Sequence, residues 1–371
     1  MMSARRRRNS ESGTTQGQPR VRGFAAAGGR YSVSFDARTV YDFLISLSLM
    51  RQDQSDLPPA DQRWLRDARA ALPADILAGM FVGGDEREGL AAEMATVVVD
   101  RPELRDAAAL VAAVEAMPAV DIVHALLQSP AGKAQAAGRE LELALAGDPE
   151  ALRDVEERLA TVALESELGH VRAMLRDPVA AAERLHLALR AWLPAFQQVE
   201  ERVRTVLERD VAARRADTDL PAPELVERTT AGIRLLPDGT ISRVILAPTY
   251  FSRPYNWAVV GDGWRLFCYP VAESALESRG AWEPPAATVQ LYRALGDPQR
   301  LRVLHMLAER DMYLTEIAQQ LEVSKPTASH HLAQLRAAGL VTLIEEGALT
   351  YYSLRRDRIL AAGPEIGRYI S

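Results

Sequence analysis

Cysteine is almost absent from this chain: Cys268 is the only one in 371 residues. A single thiol rules out an intramolecular disulfide framework and any multi-cysteine metal cage. Long apolar runs are missing as well. None approaches the roughly 20 residues that a membrane-spanning helix needs, so no membrane partner is expected. Arg5, Arg6, Arg7 and Arg8 would suit the start of a secretion signal, but Asn, Ser, Glu, Gly, Thr and Gln follow where an apolar segment should stand. A cytoplasmic protein is the expectation. Excess positive charge is lacking too, the formal net charge being -6. That argues against a surface coated for unspecific nucleic-acid binding. It leaves room for a small DNA-reading part, because the field that matters there is local. No G-x-S-x-G elbow, P-loop or H-E-x-x-H is found, so neither enzymatic activity nor a cofactor is expected. Only the unexplained N-terminal part leaves room for turnover.

What is present is a composition of 48% hydrophobic and 25% charged residues, that of a soluble globular protein of two or three domains. Residues 1–29 are rich in Arg, Ser, Gly, Thr and Gln and are expected to be a disordered tail. Residues 30–220 read as a mainly helical effector or dimerisation region. A short β-like stretch precedes a helix with Val40, Phe43, Leu44 and Leu47 on one face, and similar spacing recurs between Pro73, Pro118 and Pro178. Residues 221–275 change character. Pro237-Asp238-Gly239 and Gly261-Asp262-Gly263 each stand between apolar, partly alternating runs, which predicts two hairpins and a small antiparallel β segment. Residues 276–286, with Pro284 and Pro285, read as a linker to a last domain over 287–371.

Isolated histidines at 124, 170, 186 and 305 are expected to pack ordinarily, and Cys268 to be a small buried hydrophobe. Acidic pairs such as Glu156-Glu157 and Glu200-Glu201 read as solvated ion pairs with nearby arginines. The aromatic cluster "TYFSRPYNW" suits a ligand site, a partner surface, or a loop packing its own rings onto the sheet.

The last domain carries the strongest signal. Leu291 and Leu295 mark a first helix ending at Gly296-Asp297, and Pro298 suits the opening turn of a second, with a stripe of Leu301, Leu304 and Leu307. Thr315 is the expected N-cap of a third, with Ile317, Ala318 and Leu321 inward. Ser324 can cap a fourth, and Gly339 can end it in the left-handed conformation. "VTLIEEGALTYYSL" then makes two β-type runs about Glu346-Gly347, the order of a winged helix-turn-helix. The overall class is therefore α+β, mainly α. In the fourth helix Ala328, Leu332 and Leu335 face inward together. Thr327, His330 and Gln334 lie opposite, with Lys325, Ser329 and His331 at the flanks. Short hydroxyls permit close approach to DNA, Lys325 adds charge, and Gln334 or His330 can bond base edges. Adjacent histidines project about 100° apart on a helix, and no carboxylate or cysteine completes a site, so a metal pair is not expected.

"LGDPQRLRVL", "SKPTASHHLAQLRAAGLV" and the Gly-x-x-x-Tyr-Tyr wing resemble the ArsR/SmtB family of winged-helix transcriptional regulators. The likeness covers the last fifth of the chain. What precedes it resembles an uncharacterised module that longer members carry. The resemblance implies a homodimeric repressor on double-stranded operator DNA, relieved by an inducer. On the family pattern Ser324, Lys325, Thr327, Ser329, His330 and Gln334 lie near DNA; His331 and Arg336 complete the expected set. Three departures stand out. Tyr313 and Thr315 occupy the Cys-x-Cys positions of metal-sensing members, and the last segment, "DRILAAGPEIGRYIS", holds no histidine, so the effector is expected to be a small molecule or a protein acting on the N-terminal region. The wing carries Glu345 and Glu346 where basic residues usually meet phosphate. The alternative is an interaction module whose winged helix binds protein or dimerises.

Overall fold

The computed structural model describes residues 30–48, 57–73, 90–128, 138–160, 165–217, 219–276, 284–347 and 349–370. The expected tail and most of the expected linker lie outside the described residues.

The apolar face read from Val40, Phe43, Leu44 and Leu47 becomes the centre of the largest core. Strand β1 (Ser32–Phe35) leads into α1 (Val40–Ser48), every residue of which is buried. Helices α2 (Pro59–Ala70), α3 (Leu90–Val99), α4 (Ala107–Glu115), α5 (Ala119–Gln128), α6 (Gly138–Leu145), α7 (Pro149–Ala160) and α8 (Glu165–Arg176) follow. They are gathered by a 37-residue helix, α9 (Pro178–Arg214), which Asp177 caps by accepting from the Ala180 N–H. Leu185, Leu189, Trp192, Phe196, Val199, Val203 and Leu207 recur along α9 at three- and four-residue spacing, giving one continuous buried stripe. Phe43 meets Phe196 edge-on at 5.4 Å, and the Trp192 indole donates to Ser46 Oγ at 3.0 Å.

Helix α10 (Ala222–Thr229) precedes strands β2 (Ile233–Leu236), β3 (Arg243–Thr249), β4 (Trp257–Gly261) and β5 (Trp264–Pro270). The sheet runs β1-β3-β5-β4, with β1 and β5 parallel to β3 and only β4 antiparallel to β5. Side chains alternate across it as strand geometry demands. Ile245, Ala247, Leu266 and Cys268 face the helical core, whereas Val244, Leu246, Phe267 and Tyr269 build a second core with Leu225, Val226, Ile233 and Leu235. The sheet is thus mixed, which corrects the antiparallel expectation. Gly261-Asp262-Gly263 does join an antiparallel hairpin, but Pro237-Asp238-Gly239 does not. The Asp238 carboxylate takes the Thr240 N–H and hydroxyl, a local turn that sends β2 and β3 into different sheets. Tyr31 then fixes β2 from below, its hydroxyl donating to the Leu235 carbonyl at 2.6 Å.

Buried carboxylates tie these layers. Glu200, expected on a solvated surface, is buried and accepts from the Thr39 hydroxyl and the Ala107 N–H. Glu156 does pair outside, with Arg172 and Arg176. Asp210 accepts from the Tyr269 hydroxyl and the Ala272 N–H. Asp61 accepts from Arg202 and the Tyr250 hydroxyl. Asp42, on α1, accepts from the Tyr250 and Phe251 N–H groups at 2.8–2.9 Å. Cys268 is buried, its thiol pushed up by desolvation. His186 packs against the Val114 carbonyl, His305 is exposed, and the side chain of His170 lies outside the described residues.

Desolvation pushes the Asp42 carboxyl up to about 7 against its two N–H donors and Arg253. The folded state therefore favours the proton more than the unfolded chain does. This contribution to stability is complete below an unfolded pKa of about 4 and is lost as pH rises through the folded value of about 7. Urea unfolding from pH 4 to 8 should show Asp42→Asn gaining on the parent as pH rises, by an order of 3 kcal/mol. Parallel stability curves for the two proteins would count against a neutral buried Asp42.

Candidate nucleic-acid interface

The second part of the chain begins with α11 (Ala286–Leu295) and α12 (Pro298–Glu309). Asp297 caps α12 by accepting from the Arg300 N–H at 2.9 Å, with Pro298 in the first turn where its missing donor costs nothing. Val303, Leu304 and Leu307 are its buried face, while Leu301, expected inward, is 48% exposed. After β6 (Met312–Tyr313) comes α13 (Leu314–Leu321). Its cap is Tyr313 rather than Thr315, the Glu316 carboxylate accepting from the Tyr313 N–H at 2.8 Å. Glu322, at φ 58°, makes the turn into α14 (Lys325–Ala337). Ser324 caps α14 by accepting from the Thr327 N–H, and Gly339, at φ 70°, ends it. Strands β7 (Val341–Glu346) and β8 (Leu349–Leu354) form the wing, and α15 (Arg356–Ile370) closes the chain.

Ala328, Leu332 and Leu335 are fully buried, so the opposite face of α14 is presented outward. Ser324, Lys325, Thr327 and His330 are exposed there, and Ser329 and His331 are half-buried at the flanks. The helix contains no acidic residue, leaving nothing on it to repel a phosphate backbone. The buried Nδ1 of His331 has no hydrogen-bond partner. Among the described residues no group of three or more His, Cys, Asp or Glu could hold a metal ion.

The last two expected residues are placed differently. Gln334 lies on the same stripe as Thr327 and His330, but its Nε2 donates to the Tyr255 hydroxyl at 2.6 Å. Arg336 is half-buried against Tyr352 and Glu345. Burial holds its guanidinium below the usual arginine value, and its Nη1 is unpartnered. Both residues meet the N-terminal region, because β2 adds to the edge of the wing sheet, whose order is β2-β7-β8-β6. Strand β2 runs parallel to β7 with Ile233 opposite Leu343 and Leu235 opposite Glu345. Gly232, at φ 131°, makes this approach possible, since a Cβ there would sit 2.9 Å from the Val341 carbonyl oxygen.

The acidic wing follows from the same junction. Burial raises the Glu345 carboxyl, while Arg265 and Arg336 pull it down. Glu345 therefore faces cations of this chain itself, where a DNA-facing wing residue would face phosphate. Tyr255, Arg265 and β2 are the contributors that sequence reasoning missed. The aromatic loop was visible as a cluster, but nothing in it pointed to Gln334.

Residues 297–342 match the bacterial regulatory protein, arsR family. An uncharacterized HTH-type transcriptional regulator of Methanocaldococcus jannaschii is 39% identical over 71 residues, which is 19% of this chain and 80% of that protein. The chain belongs to the ArsR family. The HTH-type transcriptional regulator KmtR of Mycobacterium tuberculosis is 38% identical over 71 residues, 19% of this chain and 55% of its own length. The transcriptional repressor SdpR of Bacillus subtilis is 38% identical over 64 residues, 17% of this chain and 71% of that protein. Through its C-terminal fifth, this ArsR-family chain is a DNA-binding regulator rather than an enzyme.

The strained close approach at Gly232 is directly testable. Gly232→Ala should cost roughly 1–3 kcal/mol in stability and raise amide exchange at Leu343, whose N–H donates to the Gly232 carbonyl at 2.7 Å. Unchanged exchange at Leu343 would mean that β2 and β7 are not paired in solution.

Proposed function

We propose that this ArsR-family protein is a dimeric cytoplasmic repressor whose operator binding is modulated by a signal at the N-terminal region, and not by a metal at the usual family positions. The observation that carries the reading is the exposed, acid-free stripe Ser324-Lys325-Thr327-His330 on a capped helix of a winged helix-turn-helix. Such a stripe suits entry into a major groove, with Lys325 positioning on phosphate and Gln334 and His330 reading base edges. Tyr313 and Thr315 offer no soft ligand for a metal sensor.

Two further features support the finer points. Helices α11 and α15, joined by the bond from the Tyr292 hydroxyl to the Ala362 carbonyl, leave Tyr292, Leu360, Tyr369 and Ile370 exposed, a face suited to a second copy of the chain. A cleft of about 740 Å³ between α3, α5 and the β4–β5 turn, lined by Arg101, His124, Asp262 and Trp264, has the size of a small-molecule site. The alternative, a winged helix that binds protein, draws on the acidic wing and the low net charge; in the wing, Glu345 lies in the field of Arg265 and Arg336 of the same chain.

A random-sequence DNA selection followed by fluorescence anisotropy tests the proposal. Lys325→Ala should weaken binding to all sequences alike and lower the salt slope by about one. Gln334→Ala should lose about 1–3 kcal/mol of discrimination at one base position. Failure to select any preferred sequence, at any salt concentration, would remove the DNA-reading role.

A further inference from the structure

We infer that the junction between the N-terminal region and the winged helix is a latch, and that the conformation with Tyr255 on Gln334 is the state that does not read DNA. The inference rests on the reading of α14 as the DNA-recognition helix, and it names how that helix is controlled.

Three observations carry it. First, the Nε2 of Gln334, one of its two groups for bonding a base edge, is spent on the Tyr255 hydroxyl at 2.6 Å. Gln334 shares a stripe with Thr327 and His330, so the β3–β4 loop that bears Tyr255 reaches toward the surface a duplex would cover. Second, the same junction brings carboxylates to the wing tip. A Cβ built at Gly347 would lie 3.6 Å from Asp238 Oδ2, and Glu346 stands one residue away. A phosphate backbone arriving there would meet like charge.

Third, the junction is built to open. Among the described residues, Leu343 alone packs against both the winged-helix core and the second core of the N-terminal region. Around it polar groups gather, and Arg265 Nε, Arg336 Nη1 and Glu346 Oε2 are buried without hydrogen-bond partners. Opening lets water satisfy these three atoms, which offsets part of the loss of the β2–β7 ladder. A signal then needs only a differential affinity for the open and closed arrangements to shift the balance between them.

The loop also connects the latch to the body. Its Tyr250 and Phe251 N–H groups are held by Asp42 on α1, and the Tyr250 hydroxyl by Asp61 on α2. A displacement of either helix moves the loop that carries Tyr255.

The experiment uses the full chain and DNA selected from random sequence with Tyr255→Phe. Removing the hydroxyl should tighten binding about fivefold, the factor carried by one hydrogen bond of ordinary net strength. The converse arm is the double variant Arg234→Cys, Ile344→Cys, at positions paired across β2 and β7, where neighbouring strands lie within disulfide reach. Oxidised, it should bind at least about tenfold more weakly than reduced, and reductant should restore it. Equal or weaker binding by Tyr255→Phe, or an oxidised form that binds as well as the reduced one, overturns the latch while leaving the regulator intact. If neither the parent nor the variants select any sequence, the DNA-reading role falls first and the latch with it.

Discussion

The pairing of β2 with β7 is the constraint on which the rest of this structure depends. An exposed strand edge invites pairing by whatever chain is near. In this protein the outer edge of the wing is filled from within the same chain, by a strand that precedes it by about a hundred residues. That choice determines where the β3–β4 loop lands, why a glycine stands at 232, and why a wing tolerates carboxylates. The N-terminal region and the winged helix share a sheet, so they cannot be described as beads on a string.

Energetically the junction contrasts with the two regions it joins. The N-terminal helices bury a continuous apolar stripe along α9, and the winged helix closes around Ala328, Leu332 and Leu335. Burial of such side chains contributes about 1.5–3 kcal/mol each. Between them lies a contact rich in arginine, glutamate and amide groups. Each buried polar atom without a partner there costs about 1–3 kcal/mol, so the ladder of backbone bonds is partly cancelled by its surroundings. Firm bodies joined by a weak polar contact are what a two-state regulator needs, because the contact yields before either body does.

Much of this was legible in the sequence, and for identifiable reasons. The helix start at Pro298, the cap at Ser324, the left-handed stop at Gly339 and the inward triad of α14 are local consequences of residue chemistry, and they stand as read. So does the β4–β5 hairpin. The β2 segment was misassigned because Asp-Gly reports a turn but not which strand the chain meets after it. The Asp238 carboxylate closes the turn on itself, and β2 is then claimed by a partner far along the chain. Leu301 and Glu200 were misplaced for a related reason: helical spacing gives the direction of a side chain but not whether anything packs there. Gln334 and Arg336 were assigned by their position on one helix, and the contacts of Gln334 with Tyr255, 79 residues away, and of Arg336 with the Gly232 turn leave no periodic trace. Tyr313 took the cap expected at Thr315 because Glu316 reaches back to its N–H, a reciprocal bond that residue preference alone does not reveal.

The Tyr31 hydroxyl bonded to the Leu235 carbonyl has a wider meaning for how such a protein can be divided or inherited. It anchors, from the residue just ahead of β1, the very segment that completes the wing. A winged helix separated from everything before residue 284 would carry an unfinished sheet, with the donors and acceptors of β7 open to solvent and to neighbours. An edge left permanently without its strand is a template for pairing with other chains. The two halves are therefore not interchangeable modules. A lineage that exchanged one N-terminal half for another would have to supply a replacement edge strand in the same event, or evolve a wing that no longer needs one.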